Sequence, residues 1–359
     1  MRIFQTFILP DELAARYNMS FAGCNFSRNL LRNAGFDKTY SLIPWTVKGE
    51  LPQIDDEDYE VVYSSLRKRG GFVAKMAIFW EQWLLFRKIK KKDTVWFYNL
   101  YFLNGFVFFL LKVFKPSVKL NIIVLDFTPA NSIMQQNYWC RFLINKADGL
   151  ILLADSPFFC CANKEIIPGV VPSNGVEYPI IERGNKEFLL SGMISDVIAM
   201  TPHVLDVFSK LPDCILHITG YLVDNEDMVK EYTARYSNII YHGKMSYSEY
   251  IDLLHRVTFL LSTRNPDCPE NKYNFPSKIL EALFHNRIVV STLDYSQLAG
   301  IKYAKINKEN MVEEIKALVS DMENTVFTYA NQAEIVSDKY SAEEWNKYMS
   351  SIENNYKKK

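Results

Sequence analysis

Two series of short β-branched and aromatic runs, each run followed by a longer stretch at helical spacing, constrain this chain more than any other feature. In the first series the strand-like runs are Arg2–Leu9, Thr39–Trp45, Thr94–Asn99, Asn121–Phe127, Gly149–Ala154 and Ile166–Val171, with helical stretches at Phe26–Asn33, Phe72–Lys88, Gly105–Val113 and Gln136–Lys146. The second series begins at Glu187. Its strands are Phe188–Gly192, Ile215–Gly220, Ile239–His242, Thr258–Ser262, Ile288–Ser291 and Lys302–Ile306, and its helices include Pro202–Lys210, Tyr247–Leu254, Ser277–Phe284 and Met311–Met322. Parallel strands need crossover connections, so this rhythm predicts βαβ units and a parallel sheet in each half. The expected fold class is α/β, two Rossmann-like domains facing each other across a cleft. PSNGVEYPIIERGNKE, rich in Pro, Gly and polar residues, is the expected hinge near residues 172–186. The domains are then 1–172 and 183–335. A last segment, 336–359, carries Trp345, Tyr348, Met349 and Ile352 at helical spacing, an apolar stripe expected to pack back on the N-terminal lobe.

Composition narrows the classes. Forty-one basic and forty-one acidic residues cancel, which gives no case for a nucleic-acid partner. The six cysteines form no CxxC pair, and Cys160 and Cys161 are adjacent, a pattern of reduced thiols rather than of zinc or a disulfide framework. With MRIFQTFILPDEL lacking a long apolar run and a small-residue cleavage site, the expected location is the cytoplasm. Leu100–Phe114 is interrupted by Asn104 and Lys112 and is shorter than the ~20 residues that span a bilayer. A buried crossover helix accounts for it better.

The densest chemistry lies in YNFPSKILEAL, residues 273–283. Pro276 suits the first turn of a helix, whose free N–H groups near Ser277 favour an anion. Lys278 adds a cation suited to phosphate. Glu281, one turn along, could accept hydrogen bonds from a ribose diol. The combination reads as a nucleoside-diphosphate pocket, and a solvated Lys278–Glu281 pair on an ordinary helix reads as well from spacing alone. The preceding loop, STRNPDCPENKYNF, brings Arg264, a bidentate phosphate partner, to the end of a strand.

At this point the sequence resembles the GT-B glycosyltransferases, specifically the group 1, family-4-like branch, along nearly the whole chain. VVPSNGVE (Val170–Glu177) is similar to that family's hinge, FLLSGMIS (Phe188–Ser195) to its first C-terminal strand and turn, and LHITG (Leu216–Gly220) to its next strand. YHGKMSYSEYIDLLHRVTFLLST (Tyr241–Thr263) and NFPSKILEALFHNRIVVST (Asn274–Thr292) follow in the family's order. The resemblance implies a nucleotide-sugar donor on the C-terminal lobe, held by Gly192, Tyr273, Asn274, Phe275, Pro276, Ser277 and Glu281, and an acceptor on the N-terminal lobe. Glu281 matches the second carboxylate of the family's E-x7-E motif. The first falls at Tyr273, which is not acidic, so the donor sugar and the stereochemistry stay open. SGMISDV lacks the family's Arg and Lys, which leaves Arg264 and Lys278 to stabilise the departing diphosphate without metal or other cofactor.

In the first half, IIVLDFTP ends a strand with Asp126, placed to orient an acceptor hydroxyl or act as base, or simply to cap its loop. Gly23 and Asn25, in SFAGCNFSRNLL, mark the acceptor side, where a tight turn is the plainer reading of Gly23. None of the five histidines pairs at metal-ligand spacing, no nucleophile elbow supports Ser/His/Asp hydrolysis, and no GxGxxG follows the first strand. Gly71–Asp93 sets Trp80, Trp83 and Phe86 beside Arg87, Lys88 and Lys90–Lys92, which suits either a peripheral helix on an anionic membrane face or a core helix with a solvated basic end. The expected activity is transfer of a sugar from a nucleoside-diphosphate sugar to a hydroxyl of a glycan or lipid-linked glycan, in cell-surface polysaccharide biosynthesis. A non-catalytic binding protein of this fold, or a sugar-nucleotide epimerase, is the alternative.

Overall fold

The continuous apolar runs of the sequence become the strands of two parallel sheets. The computed structural model describes residues 1–17, 19–44, 47, 51–52, 54, 56–125, 127, 135–172 and 178–356. It divides into two units, one of Met1–Ser173, Tyr273–Phe275 and Tyr340–Lys359, the other of Asn174–Lys272 and Pro276–Lys339.

The first unit runs β1 (Arg2–Thr6), α1 (Asp11–Arg16), α2 (Phe21–Asn33), β2 (Lys38–Leu42), β3 (Glu60–Val62), α3 (Gly71–Lys88), β4 (Thr94–Tyr98), α4 (Phe102–Phe114), β5 (Lys119–Val124), α5 (Gln136–Ile144), β6 (Gly149–Leu152) and β7 (Lys164–Ile166). The sheet order is β3-β2-β1-β4-β5-β6-β7. Both faces are covered, which is why TVWFY and KLNIIV are mostly apolar rather than alternating. Leu85 of α3, Val107, Phe108 and Leu111 of α4 and Ile144 of α5 pack with Val95, Phe97, Leu120 and Ile122 in one cluster.

The second unit runs β8 (Glu187–Ile194), α6 (Thr201–Ser209), β9 (Ile215–Leu222), α7 (Glu226–Arg235), β10 (Ile239–Tyr241), α8 (Tyr247–Arg256), β11 (Phe259–Ser262), α9 (Pro269–Tyr273), α10 (Lys278–Phe284), β12 (Ile288–Ser291), β13 (Ala304–Lys305), α11 (Met311–Ser320), α12 (Met322–Tyr329) and α13 (Ala333–Tyr340). Its sheet order is β10-β9-β8-β11-β12-β13, again parallel. The chain ends in α14 (Ala342–Asn355), which belongs to the first unit. There Trp345 is fully buried, edge-on to Phe26 at 5.4 Å, and its indole N–H donates to the Gly169 carbonyl at 2.8 Å. Arg2 donates to both carboxylate oxygens of Glu353, at 2.9 and 2.8 Å, tying α14 to β1.

Several boundaries differ from the sequence expectations. The strand expected at Ile166–Val171 lies earlier, at Lys164–Ile166, and Val171 makes only an isolated bridge to Ser341. The strand expected at Thr39–Trp45 ends at Leu42, and Trp45 lies outside the described residues. The helix expected at Met311–Met322 breaks at Asp321, whose side chain accepts from the Asn324 N–H and caps a new helix, α12. β3, α1 and α9 are too short to leave a periodic signal.

Candidate functional site

In the second unit, adjacent strands β8 and β9 pair Gly192 with Gly220 in register near their carboxyl ends. Both take positive φ, +112° and +131°. A Cβ on Gly220 would lie 2.0 Å from the Gly192 carbonyl oxygen, so the two backbones meet where no side chain fits. A Cβ on Gly192 would stand 3.3 Å from Cε and 3.4 Å from Nζ of Lys278. The first residue of α10 therefore lays its ammonium over the end of β8, the edge where open α/β sheets bind ligands.

Lys278 Nζ also sits 4.8 Å from the centroid of the Tyr250 ring. Burial pulls its pKa down to about 8, against the opposing pull of Glu281. Glu281 lies three residues on, on the next turn of α10. Its carboxylate accepts from the Tyr250 hydroxyl at 2.9 Å and the Tyr247 hydroxyl at 3.2 Å. Burial pushes the Glu281 carboxyl up, while the two phenols and Lys278 hold it back. Burial and the nearby carboxylate also raise both phenols, so they remain donors. An ionised carboxylate offers about four lone-pair sites, so two remain for a vicinal diol.

α10 has seven residues, and Ser277 caps it without a side-chain hydrogen bond. Pro276 stands just before it and accepts from the Ile279 N–H at 3.0 Å. The chemistry of this corner thus rests on Lys278 and Glu281 more than on the helix start. Arg264 lies in the loop after β11, where its guanidinium donates to Asn271 at 3.0 Å and its carbonyl accepts from Thr292 at 2.6 Å.

Tyr273, Asn274 and Phe275 group with the first unit. Asn274 accepts from the Phe127 N–H at 2.9 Å, and the Tyr273 ring meets Phe158 at 5.2 Å between centroids. Phe275 is buried. Gly23 sits in the first turn of α2, where a Cβ would lie 2.6 Å from the Tyr98 hydroxyl, so a larger residue would push that ring away. Asn25, two residues on, is half-buried. Asp126 and residues 173–177 of the expected hinge lie outside the described residues.

Sequence reasoning did not single out Tyr247, Tyr250 or Gly220. The signals were present as a tyrosine pair at i, i+3 in YSEYIDLL and the glycine ending LHITG. It also missed Asn225, which is 4% exposed and has neither side-chain polar atom paired, and Asp196, whose buried Oδ1 is unpaired; both follow the ends of β9 and β8. Among the described residues, no group of three or more His, Cys, Asp or Glu lies together, and no helix is long and apolar enough to cross a membrane.

No family model and no curated protein matches the sequence. Solved structures do match the fold. Anabaena HepE, in complex with UDP and glucose, aligns at TM-score 0.64 with 12% identity, over 98% of this chain and 99% of that one. The lipopolysaccharide outer core galactosyltransferase WaaB aligns at 0.58 with 13% identity, over 99% and 100%. An E. coli trehalose-6-phosphate structure bound with UDP-2-fluoro glucose aligns at 0.63 with 9% identity, over 98% and 99%. Two Rossmann-like parallel sheets in this order, with the last helix packed on the N-terminal one, give this chain the GT-B glycosyltransferase fold.

Proposed function

We propose that this chain is a glycosyltransferase that moves a sugar from a nucleoside-diphosphate sugar to a hydroxyl of a glycan or lipid-linked glycan in cell-surface polysaccharide biosynthesis. Residues 183–335 would hold the donor, and residues 1–172 the acceptor. One observation carries the reading: the Lys278 ammonium lies over the Gly192 end of β8, with the Glu281 carboxylate one turn away. The cation suits a diphosphate and the carboxylate a ribose diol. In the transfer, the anomeric carbon leaves the diphosphate oxygen and bonds to the acceptor oxygen. Lys278, joined by Arg264, stabilises the charge that develops on the diphosphate, in place of a metal. Asp126 is assigned to the acceptor side, orienting the hydroxyl or taking its proton. HepE and WaaB, as a UDP complex and a lipopolysaccharide galactosyltransferase, support the donor and the polysaccharide role. The proposed place of work is the cytoplasm, on the inner face of the membrane.

The test is a thermal-shift titration with UDP, GDP, ADP, CDP and CMP in EDTA, on the wild type, Glu281→Ala and Lys278→Met. A ligand at about 100 times its dissociation constant stabilises the fold by about 2.7 kcal/mol. One nucleoside diphosphate is expected to raise the melting temperature of the wild type and not of the variants. If none raises it, this donor-site reading is wrong, and a non-catalytic binding protein of the same fold takes its place.

A further inference from the structure

Helix α3 is built inside out. Phe72, Met76, Trp80 and Trp83, spaced by four, four and three residues, form a stripe that faces outward, with Phe72 75% and Trp80 46% exposed. The opposite stripe buries polar groups: Glu81 is 1% exposed and paired with Arg67 at 2.6 Å, and fully buried Gln82 accepts from the Val107 N–H at 3.0 Å. A surface helix in contact only with water distributes these residues the other way.

The neighbouring helices repeat the pattern. On α4, Phe102, Phe109 and Val113 are exposed and half-exposed Phe106 completes their stripe. On α5, Tyr138, Trp139 and Phe142 are exposed. The three helices lie side by side, α3 on α4 and α4 on α5. Rings bridge them: Phe79 of α3 meets Phe102 and Phe106 of α4 at 5.3 and 5.4 Å, and Phe86 meets Phe114 at 6.5 Å. Half of the large apolar side chains exposed among the described residues stand on these three helices. Such clustering marks an interaction face rather than scattered surface residues.

Charge says what the face meets. α4 and α5 carry no acidic residue, and Glu81, the one acid of α3, is buried. Exposed cations frame the aromatic surface at Lys75, Arg87, Lys90, Lys91, Lys92 and Arg141. The whole chain has no net charge, so this excess is local. A second copy docked about a two-fold axis would bring these cations against their own equivalents. A bilayer of anionic lipid offers apolar depth for the rings and phosphates for the cations.

We propose that the outer face of α3, α4 and α5 docks on an anionic lipid bilayer, with its aromatic stripes in the headgroup–acyl boundary. This deepens the peripheral placement proposed above and does not use the donor site. Phe72, Phe102, Tyr138 and Trp139 stand in the first turns of their helices, which follow the carboxyl ends of β3, β4 and β5. Docking therefore presents to the bilayer the sheet edge at which such folds hold ligands, and a lipid-linked acceptor can be drawn from it.

The experiment is flotation of the full chain with vesicles of phosphatidylcholine alone and of phosphatidylcholine mixed with phosphatidylglycerol, at low and high salt. The wild type is expected to float with the mixed vesicles and to be released by salt. Trp80→Ser with Trp83→Ser is expected to weaken binding about tenfold or more. Lys90→Gln, Lys91→Gln and Lys92→Gln together are expected to weaken it about fivefold for each charge removed, on mixed vesicles only. Each variant is checked for an unchanged nucleotide-dependent thermal shift, so that lost flotation reports the face and not the fold. A wild type that floats with neither vesicle, or a tryptophan variant that floats as well as the wild type, overturns the proposal. A dimer in sedimentation velocity that the tryptophan variant splits overturns it too, and assigns the face to self-association. Flotation of a protein that shows no nucleotide shift leaves this proposal standing and sinks the donor reading.

Discussion

Lys278 and Glu281 show how one turn of helix can assemble a site that the sequence only suggests. Spacing places them on one face of α10, but the burial that shifts their titration comes from Tyr250, Tyr247 and the glycine-paired ends of β8 and β9. Because the folded pKa of Lys278, about 8, lies below the ordinary lysine value of 10.5, its charge costs stability at pH 7, a cost that fades as the pH rises from about 8 towards 10.5. Lys278→Met should therefore unfold at higher urea than the wild type at pH 7, and the gap should close by pH 10. Nucleoside-diphosphate affinity should move the other way, falling about tenfold between pH 7 and pH 9 as the ammonium is lost. Calorimetric titration at the two pH values checks this, and an affinity that is flat in pH would remove Lys278 from the phosphate site. Gly220→Ala is expected to cost several times as much as Gly243→Ala. Both have positive φ, but a Cβ at Gly243 meets nothing within 4 Å, while one at Gly220 runs into the Gly192 carbonyl. Equal urea midpoints for the two would show that the strand ends can relax apart.

At the scale of elements, α14 is held by the buried side chains of Trp345, Met349 and Ile352 and by Arg2, which reaches Glu353. Trp345 is buried against Phe26, and its N–H satisfies the Gly169 carbonyl. Trp345→Phe keeps much of the apolar volume but leaves that carbonyl unpaired in a dry site, at a cost of about 1–3 kcal/mol. The loss should show in the urea midpoint, and a variant as stable as the wild type would mean that the carbonyl finds another donor. The apolar stripe of this helix was legible in the sequence, since period 3.6 survives in any context. The end of β2 and the break at Asp321 were not, because the carbonyls after Leu42 turn to the distant Arg67 and the Asp321 side chain caps a new helix locally. Helix α3 is the instructive case: its apolar residues spread round the helix, and only its packing shows that Glu81 and Gln82 go inward and the tryptophans outward.

For the molecule as a whole, cancelling charges leave histidine as the main source of pH dependence near neutrality. His285 is buried between Tyr178 and His255, and burial, with His255 and Arg287 nearby, pushes its pKa down to about 3. Burial likewise lowers His217 and His242, whose ring nitrogens lie 2.9 Å apart. A histidine kept neutral by the fold contributes its full stability above pH 6.5 and loses it as the pH falls towards the folded value. The chain should therefore be less stable at pH 5 than at pH 7, by about 2 kcal/mol from His285 alone. Urea unfolding at both pH values, on the wild type and His285→Gln, measures it. A pH-dependent loss as large in the variant as in the wild type would place the effect elsewhere.

By itself the sequence determined the two parallel α/β halves, because strands covered on both faces must be mostly apolar and parallel pairing demands a helix between strands. It also marked YNFPSKILEAL as a candidate, although its spacing alone suits a solvated pair on an ordinary helix as well. Tertiary structure alone decided which residues complete that corner. Tyr247 and Tyr250 reach Glu281, Gly192 reaches Lys278 and Gly220 reaches Gly192 only when β8, β9, α8 and α10 pack together. It also decided which side of α3 meets solvent. Periodicity records that a face is apolar, while the choice between core and surface depends on partners contributed by other elements.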